Sequence, residues 1–195
     1  GEIIATFALS ESASEPSEKN INTTIIGNKL NGKKLPVPDG SYADICVVVV
    51  RDKDSNTISL ALVEMNSKGI TKNELKTLDP SRNHAELIFK ESPAEIMETG
   101  SESWLCVEKC LDTAAILIAF EQIGGAEASL NMAKEYALDR YAFGRQIGSY
   151  QAIKHKLADM YVKIELAKSN CYYGAMMLND DGGDFKIAAA ASRVS

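Results

Sequence analysis

Proline is absent from the chain beyond Pro93, and all five prolines lie within the first 93 residues. Proline breaks helix interiors but is tolerated at turns and strand edges, so this asymmetry divides the sequence into two halves of different grammar. Long apolar runs are also absent. No stretch of about 18 apolar residues occurs, so a helical membrane span is not expected. The N-terminal GEIIATFALSES has no basic region ahead of its apolar stretch and does not read as a signal peptide. The four cysteines (Cys46, Cys106, Cys110, Cys171) are too few and too scattered for a disulfide framework, and they read as reduced thiols. The only histidines are His84 and His155, so no metal centre is expected. Positive charge is in deficit: the net charge is -6 and the pI is near 5.1, which argues against a nucleic-acid partner.

What remains is an ordinary globular composition, with 45% hydrophobic and 25% charged residues. A chain of 195 residues can bury a core without staples as one large or two small domains. The first half reads as strands at 2–9, 23–27, 28–35, 43–51, 57–65 and 84–90, rich in Val, Ile, Leu and Thr. Turn signals separate them, and Asn31-Gly32 is the strongest hairpin signal among these. The continuous apolar run Val47–Val50 predicts a strand covered on both faces. The second half reads as helices. One begins near Ser101 or Ser103, either of which can cap it, and runs to about Arg140; its stretch from Leu111 to Ile123 is apolar almost all round and predicts central burial. Ser149 can cap a second helix over 150–179, where Ile153, Leu157, Met160, Ile164 and Ala167 form one stripe. Asn179–Gly183 reads as a turn, and Asp184 starts a third helix. The expected class is α+β: a small β-barrel or sandwich over 1–97, then long antiparallel helices over 101–195.

The segment AFEQIGGAEASLNMAKEYALDRYAFGRQIGSYQAIKHKLADM (119–160) resembles the acyl-CoA dehydrogenase family. The matching features are the Gly124-Gly125 helix kink, Arg140 before Phe143-Gly144, the Ile147-Gly148 turn, and Gln151 leading into the helix that carries Ala158-Asp159-Met160. In the first half, Ala8-Leu9-Ser10-Glu11 is similar to the family's Ala-X-Thr-Glu segment. Leu30-Asn31-Gly32-Lys33-Lys34 is similar to its Asn-Gly-X-Lys hairpin, and Tyr42-Ala43-Asp44 to its Ala-Asp strand opening. The resemblance implies an FAD enzyme that introduces a trans-α,β double bond into an acyl-CoA thioester. It also implies a homo- or hetero-oligomer, an electron-transferring flavoprotein as electron acceptor, and a cytoplasmic location, or the mitochondrial matrix in a eukaryote. On this reading the second half is the leading part of an incomplete four-helix bundle.

The same resemblance assigns candidate cofactor contacts. The Arg140 guanidinium suits the FAD pyrophosphate, because it is permanently charged and can bind phosphate in a bidentate fork. Phe143 offers an aromatic surface to the adenosine. Gln151 can hydrogen-bond the cofactor at a helix start. Ser10 stands where the family's threonine contacts the flavin edge. The alternatives are a surface salt bridge, a core aromatic, and helix or turn caps. Departures are also visible. Ser14-Glu15-Pro16-Ser17 stands where the family has Gly-Ser-Asp, and Pro36 and Pro38 stand where an aromatic and a threonine cover the flavin. The form 35–40 looks more like the actinobacterial and steroid side-chain branch.

No catalytic base is assigned. Most members carry it beyond the position of Ser195. In a minority it lies on the first helix of this domain, where Ala114 stands here. Asp112 is displaced from that position by about 200° around a helix, and Glu121 reads as a packing carboxylate. His155 is expected at a surface, Tyr172-Tyr173 and Met176-Met177 in core or subunit contacts, and Trp104 at the domain junction. Lys33-Lys34 and Lys72–Lys76 read as solvated charges. The expected function is a portion of an acyl-CoA dehydrogenase, inactive alone. The alternatives are a non-catalytic interaction subunit without FAD, or an acyl-CoA oxidase-type enzyme.

Overall fold

Alternation of apolar and polar residues builds the first half. The computed structural model describes residues 1–100, 102–178 and 184–194. Eight strands form one mixed sheet: β1 (Ala5–Ala8), β2 (Thr24–Ile26), β3 (Lys29–Pro38), β4 (Ile45–Asp52), β5 (Ile58–Glu64), β6 (Ile70–Leu75), β7 (His84–Pro93) and β8 (Glu95–Thr99). Their order is β6-β7-β3-β2-β4-β5-β8, with β1 parallel beside β4. One edge of β4 is shared: Ala5–Ala8 pair with Ile45–Val48, and Thr24 and Ile25 continue along Arg51 and Asp52. The α+β class is as expected. The barrel is not closed, however, because among the described residues the end strands β6 and β8 do not pair.

The Val47–Val50 run behaves as its composition predicts. Val48 and Val50 enter a cluster with Ile25, Leu30, Leu87 and Phe89, while Val49 enters another with Leu9, Ile21, Ile58 and Val107. Both faces of β4 are therefore covered. Trp104 packs against the second cluster, on the β-rich unit. The strongest hairpin signal is used differently from its expectation. The reversal between β2 and β3 is Gly27-Asn28, closed by the Ile26–Lys29 pair, and Gly27 has φ 53°. Asn31-Gly32 lies inside β3, at a register shift against β7. A Cβ on Gly32 would stand 2.7 Å from the Thr23 Cα, so close packing of β3 on the residue just ahead of β2 demands glycine there.

Three helices make up most of the second half: α1 (Glu102–Asp139), α2 (Gln151–Met177) and α3 (Asp184–Val194). Contacts divide the chain into two compact units, Gly1–Val107 and Glu108–Ser195. α1 is a single helix through Gly124-Gly125. Its expected cap at Ser101 lies outside the described residues, as do the expected turn at 179–183 and Ser195. Ser103 does not cap; it sits inside the helix, buried, with no hydroxyl partner among the described residues. Ser149 does not cap α2 either. It ends a 3-10 turn and donates its hydroxyl to Gln146 O, and Tyr150 precedes the helix.

Within the helical unit, Ala119 and Ile123 of α1 pack on Ile164 and Cys171 of α2, and Ile116 packs on Phe185 and Ala189 of α3. Phe120 meets Tyr172 edge to face at 5.5 Å. A Cβ on Gly174 would stand 2.4 Å from the Ser192 Oγ, so glycine sets the close approach of α2 and α3. The all-round burial expected for 111–123 is not found: Leu117 and Ile118 are more than half exposed. Ala119 and Ile123 of α1 pack on α2 and Ile116 packs on α3, while Leu117, Ile118 and Met132 of the same helix are exposed.

Candidate functional site

Three of the four residues singled out for cofactor contact fall between the end of α1 and the first residue of α2. Arg140 closes α1, its N–H donating to Tyr136 O, and its own carbonyl accepts the Ile147 N–H at 2.8 Å. Between those ends stand β9 (Tyr141–Ala142) and β10 (Arg145–Gln146), paired antiparallel. The two residues of the turn, Phe143 and Gly144, have φ of 53° and 79°. Positive φ at both positions is the type I′ geometry that matches strand twist. Glycine takes it freely; phenylalanine is strained there. The Phe143 ring is 98% exposed, so it is not the core aromatic that the alternative reading allowed.

The rest of the connection holds this hairpin in place. Tyr150 donates its hydroxyl to Ala142 O at 3.0 Å. The Arg145 guanidinium lies over the Tyr150 ring, 4.0 Å from its centroid. Gly148 passes so close to α1 that a Cβ would stand 2.9 Å from Ala137 O. Gln151 is the first residue of α2 and is exposed, as is Arg140. A permanent cation, an exposed aromatic ring and an amide beside the positive end of a helix therefore occupy one segment. This donor set can take a phosphate and a ring from the same ligand. Arg145 and Tyr150 escaped the sequence reading; the only signal for them was their position flanking Phe143-Gly144 and the helix start.

Ser10 belongs to the β-rich unit. Its carbonyl accepts the Leu35 N–H at 2.9 Å. Its neighbours bring a correction: Lys34, expected to be solvated, is fully buried. β3 turns this side chain inward, and its Nζ donates to Leu9 O and to Glu11 Oε1, each at 2.9 Å. Glu11 also accepts the N–H groups of Thr23 and Asn22, at 2.8 Å each. Burial pushes the Glu11 carboxyl up, but the Lys34 charge and hydrogen bond, with the Thr23 N–H, outweigh it and leave the group below its ordinary value. Burial pulls the Lys34 ammonium down, against the opposing pull of Glu11. The neighbouring Cys46 thiol is pushed up to about 12 by burial. A groove of about 510 Å³ beside this pair is lined by Glu11, Ser14, Lys19, Asn22, Thr23 and Lys33. Pro36 and Pro38 lie in β3, and the Leu35–Pro36 peptide is cis.

The base candidates lie on α1. Ala114 and Asp112 are half-buried and Glu121 is exposed. Lys186 of α3 pairs with Glu108 at 2.7 Å, and this bond, with the nearby charges of Glu108 and Asp112, raises its pKa. His155 is exposed, as expected. Of the residues expected in core or subunit contacts, Met177 packs against Ile116 and Phe185, whereas Tyr172, Tyr173 and Met176 are exposed. Among the described residues no cluster of potential metal ligands occurs, and no helix is long and apolar enough to cross a membrane.

Comparison with known proteins agrees with the motif resemblance. Residues 104–195 match the family described as acyl-CoA dehydrogenase, C-terminal domain. An acyl-CoA dehydrogenase of Bacillus subtilis is 33% identical over 191 residues, covering 92% of this chain and 50% of the relative. Butyryl-CoA dehydrogenase from Megasphaera elsdenii superposes with a TM-score of 0.90 at 26% identity, over 98% of this chain and 53% of the other. The fold is shared too with a glutaryl-CoA dehydrogenase from Mycobacterium smegmatis solved in complex with FADH2, with a TM-score of 0.85 at 23% identity, over 99% of this chain and 52% of that one. The chain spans about half the length of the curated relatives it matches. Matches of sequence and of fold that run through both halves of the chain place it in the acyl-CoA dehydrogenase family.

Proposed function

We propose that this chain carries the middle β-domain, over 1–97, and the leading helices of the C-terminal domain, over 101–195, of an FAD-dependent acyl-CoA dehydrogenase. The observation that carries this reading is Phe143: an aromatic ring held at a strained, positive φ and left 98% exposed, on a hairpin that also brings Arg140 and Gln151 to one segment. Strain of this kind persists where surrounding contacts over-determine it, and here Tyr150 and Arg145 do so. Arg140 would neutralise pyrophosphate charge, Phe143 would stack against adenosine, and Gln151 would hydrogen-bond beside the α2 N-terminus. Ser10, with its carbonyl fixed by Leu35, would turn its hydroxyl to the flavin edge. When bound, FAD supplies the hydride acceptor for α,β-desaturation of an acyl-CoA thioester.

The exposed apolar residues of α1 and α2 support an assembly of dehydrogenase subunits, homo- or hetero-oligomeric. The reading extends, by family alone, to an electron-transferring flavoprotein as acceptor and to a cytoplasmic or matrix location. No side chain of this segment is assigned as the base, so the chain alone is expected to be inactive. A second reading, a non-catalytic subunit without FAD, is favoured by Pro36 and Pro38 and by the Ser14–Ser17 stretch. The test is uptake of FAD. The dehydrogenase reading expects a yellow protein, or binding of added FAD that Arg140→Ala weakens. A colourless chain that takes up no FAD overturns it in favour of the second reading. Turnover of acyl-CoA by the isolated chain with an artificial acceptor would overturn the expected inactivity.

A further inference from the structure

Among the described residues of the β-rich unit, Lys34 is the charged residue that is fully buried, and the two acceptors of its ammonium bracket Ser10. Lys34 holds Leu9 through its carbonyl and Glu11 through its carboxylate, while the next residue of β3, Leu35, holds the Ser10 carbonyl. Glu11 extends the grip to the other side by accepting from Asn22 and Thr23. Three consecutive residues are thus fixed by two consecutive residues of β3 and by two backbone N–H groups ahead of β2.

A buried ion pair is a poor way to stabilise a sheet. Desolvation offsets much of the attraction, and an apolar isostere often serves stability equally well. What the pair does provide is direction: a short, charge-assisted tether to two acceptors allows few geometries for the segment it holds. We propose that Lys34 is a positioning residue, which acts with Glu11 to clamp Leu9–Glu11 and set the Ser10 backbone and hydroxyl for the flavin ring edge. This rests on the reading of Ser10 as a flavin contact.

Lys34→Met keeps an unbranched side chain one atom shorter and removes the donor. Hydrogen exchange on the chain without ligand reads the clamp directly. The amides of Leu35, Asn22 and Thr23 should exchange about tenfold faster, the loss expected for one charged hydrogen bond, while the β4–β5 ladder keeps its protection. FAD titration by flavin fluorescence reads the purpose. Affinity should fall about tenfold, and adding Ser10→Ala to Lys34→Met should cost little more, because the two substitutions remove one shared contact. Should Lys34→Met fail to fold, Glu11→Gln, which keeps the volume and one acceptor oxygen for Nζ, should give the same pattern more weakly. Unchanged exchange at Leu35, or uniform acceleration across the sheet, overturns the clamp. A parent chain that binds FAD beside a Lys34→Met variant that binds it equally overturns the positioning role alone. A parent that takes up no FAD overturns the flavin reading of Ser10, and with it this purpose for the pair.

Discussion

The Arg145 guanidinium lies 4.0 Å from the centroid of the Tyr150 ring, and the hydroxyl of that same ring reaches the carbonyl of Ala142 on the opposite strand. One aromatic side chain at the entrance to α2 thereby fastens both strands of the hairpin that carries Phe143. Tyr150→Phe should remove the hydroxyl bond and keep the cation–π contact, costing about 1 kcal/mol. Tyr150→Ala should remove both. Exchange at the Ile147 amide, which donates to Arg140 O, checks this. It should rise modestly in the first variant and strongly in the second, while the amides of α3 stay protected.

Phe143 sets stability against binding. A non-glycine residue in the left-handed region costs roughly 1–2 kcal/mol, so Phe143→Gly should stabilise the chain by about 1 kcal/mol in denaturant melts. The same change removes a ring that touches solvent rather than core, so no packing is lost with it. Affinity for FAD should fall in the same variant. A variant that is both less stable and equally able to bind FAD would show that the ring serves the fold and not a ligand.

Legibility in the sequence followed local rules. The strands of alternating or β-branched residues and all three helices stand near where periodicity placed them. β6, with the sequence ITKNEL, and β8, with EIMET, carry little strand signal in the sequence, because charged and polar residues interrupt their apolar pattern at the two ends of the sheet. Asn31-Gly32 was misread because the same dipeptide suits a hairpin turn and a bulge, and only the partner strand decides between them. Arg140, Phe143 and Gln151 are legible because they lie within twelve consecutive residues, from the end of α1 to the start of α2. Lys34 is not, since β3 turns it inward toward a segment more than twenty residues away in sequence. Nothing local marks one lysine of a Lys-Lys pair as buried and the other as paired with Glu86 at the surface.

The thiols should separate by environment. Cys106 and Cys110 are exposed on α1, whereas Cys46 and Cys171 are buried. Burial pushes the Cys46 thiol up to about 12 and raises that of Cys171 as well. The thiolate is the reactive form, so a maleimide at neutral pH should label Cys106 and Cys110 rapidly and the buried pair only after denaturation. Peptide mapping after timed labelling checks this; rapid native labelling of Cys46 would contradict its place between β1 and β5.

Acid should weaken the Lys34–Glu11 pair in a defined direction. Burial alone would raise the Glu11 carboxyl, yet Lys34 and the Thr23 N–H hold its pKa below the ordinary 4.5 in the folded chain. In the unfolded chain the carboxyl returns to that ordinary value, so on acidification the unfolded state takes up its proton first. Stability therefore rises with pH across the interval between the two values. The contribution of Glu11 is complete above the ordinary value and is lost as the pH falls through the folded one. Glu11→Gln has no proton to take up there, so its denaturant midpoint should be lower than the parent's near neutral pH, and the gap should narrow as the pH drops below 4.5. Melts of both proteins across that range decide the matter: a constant gap would mean that the carboxylate charge plays no part in holding Lys34.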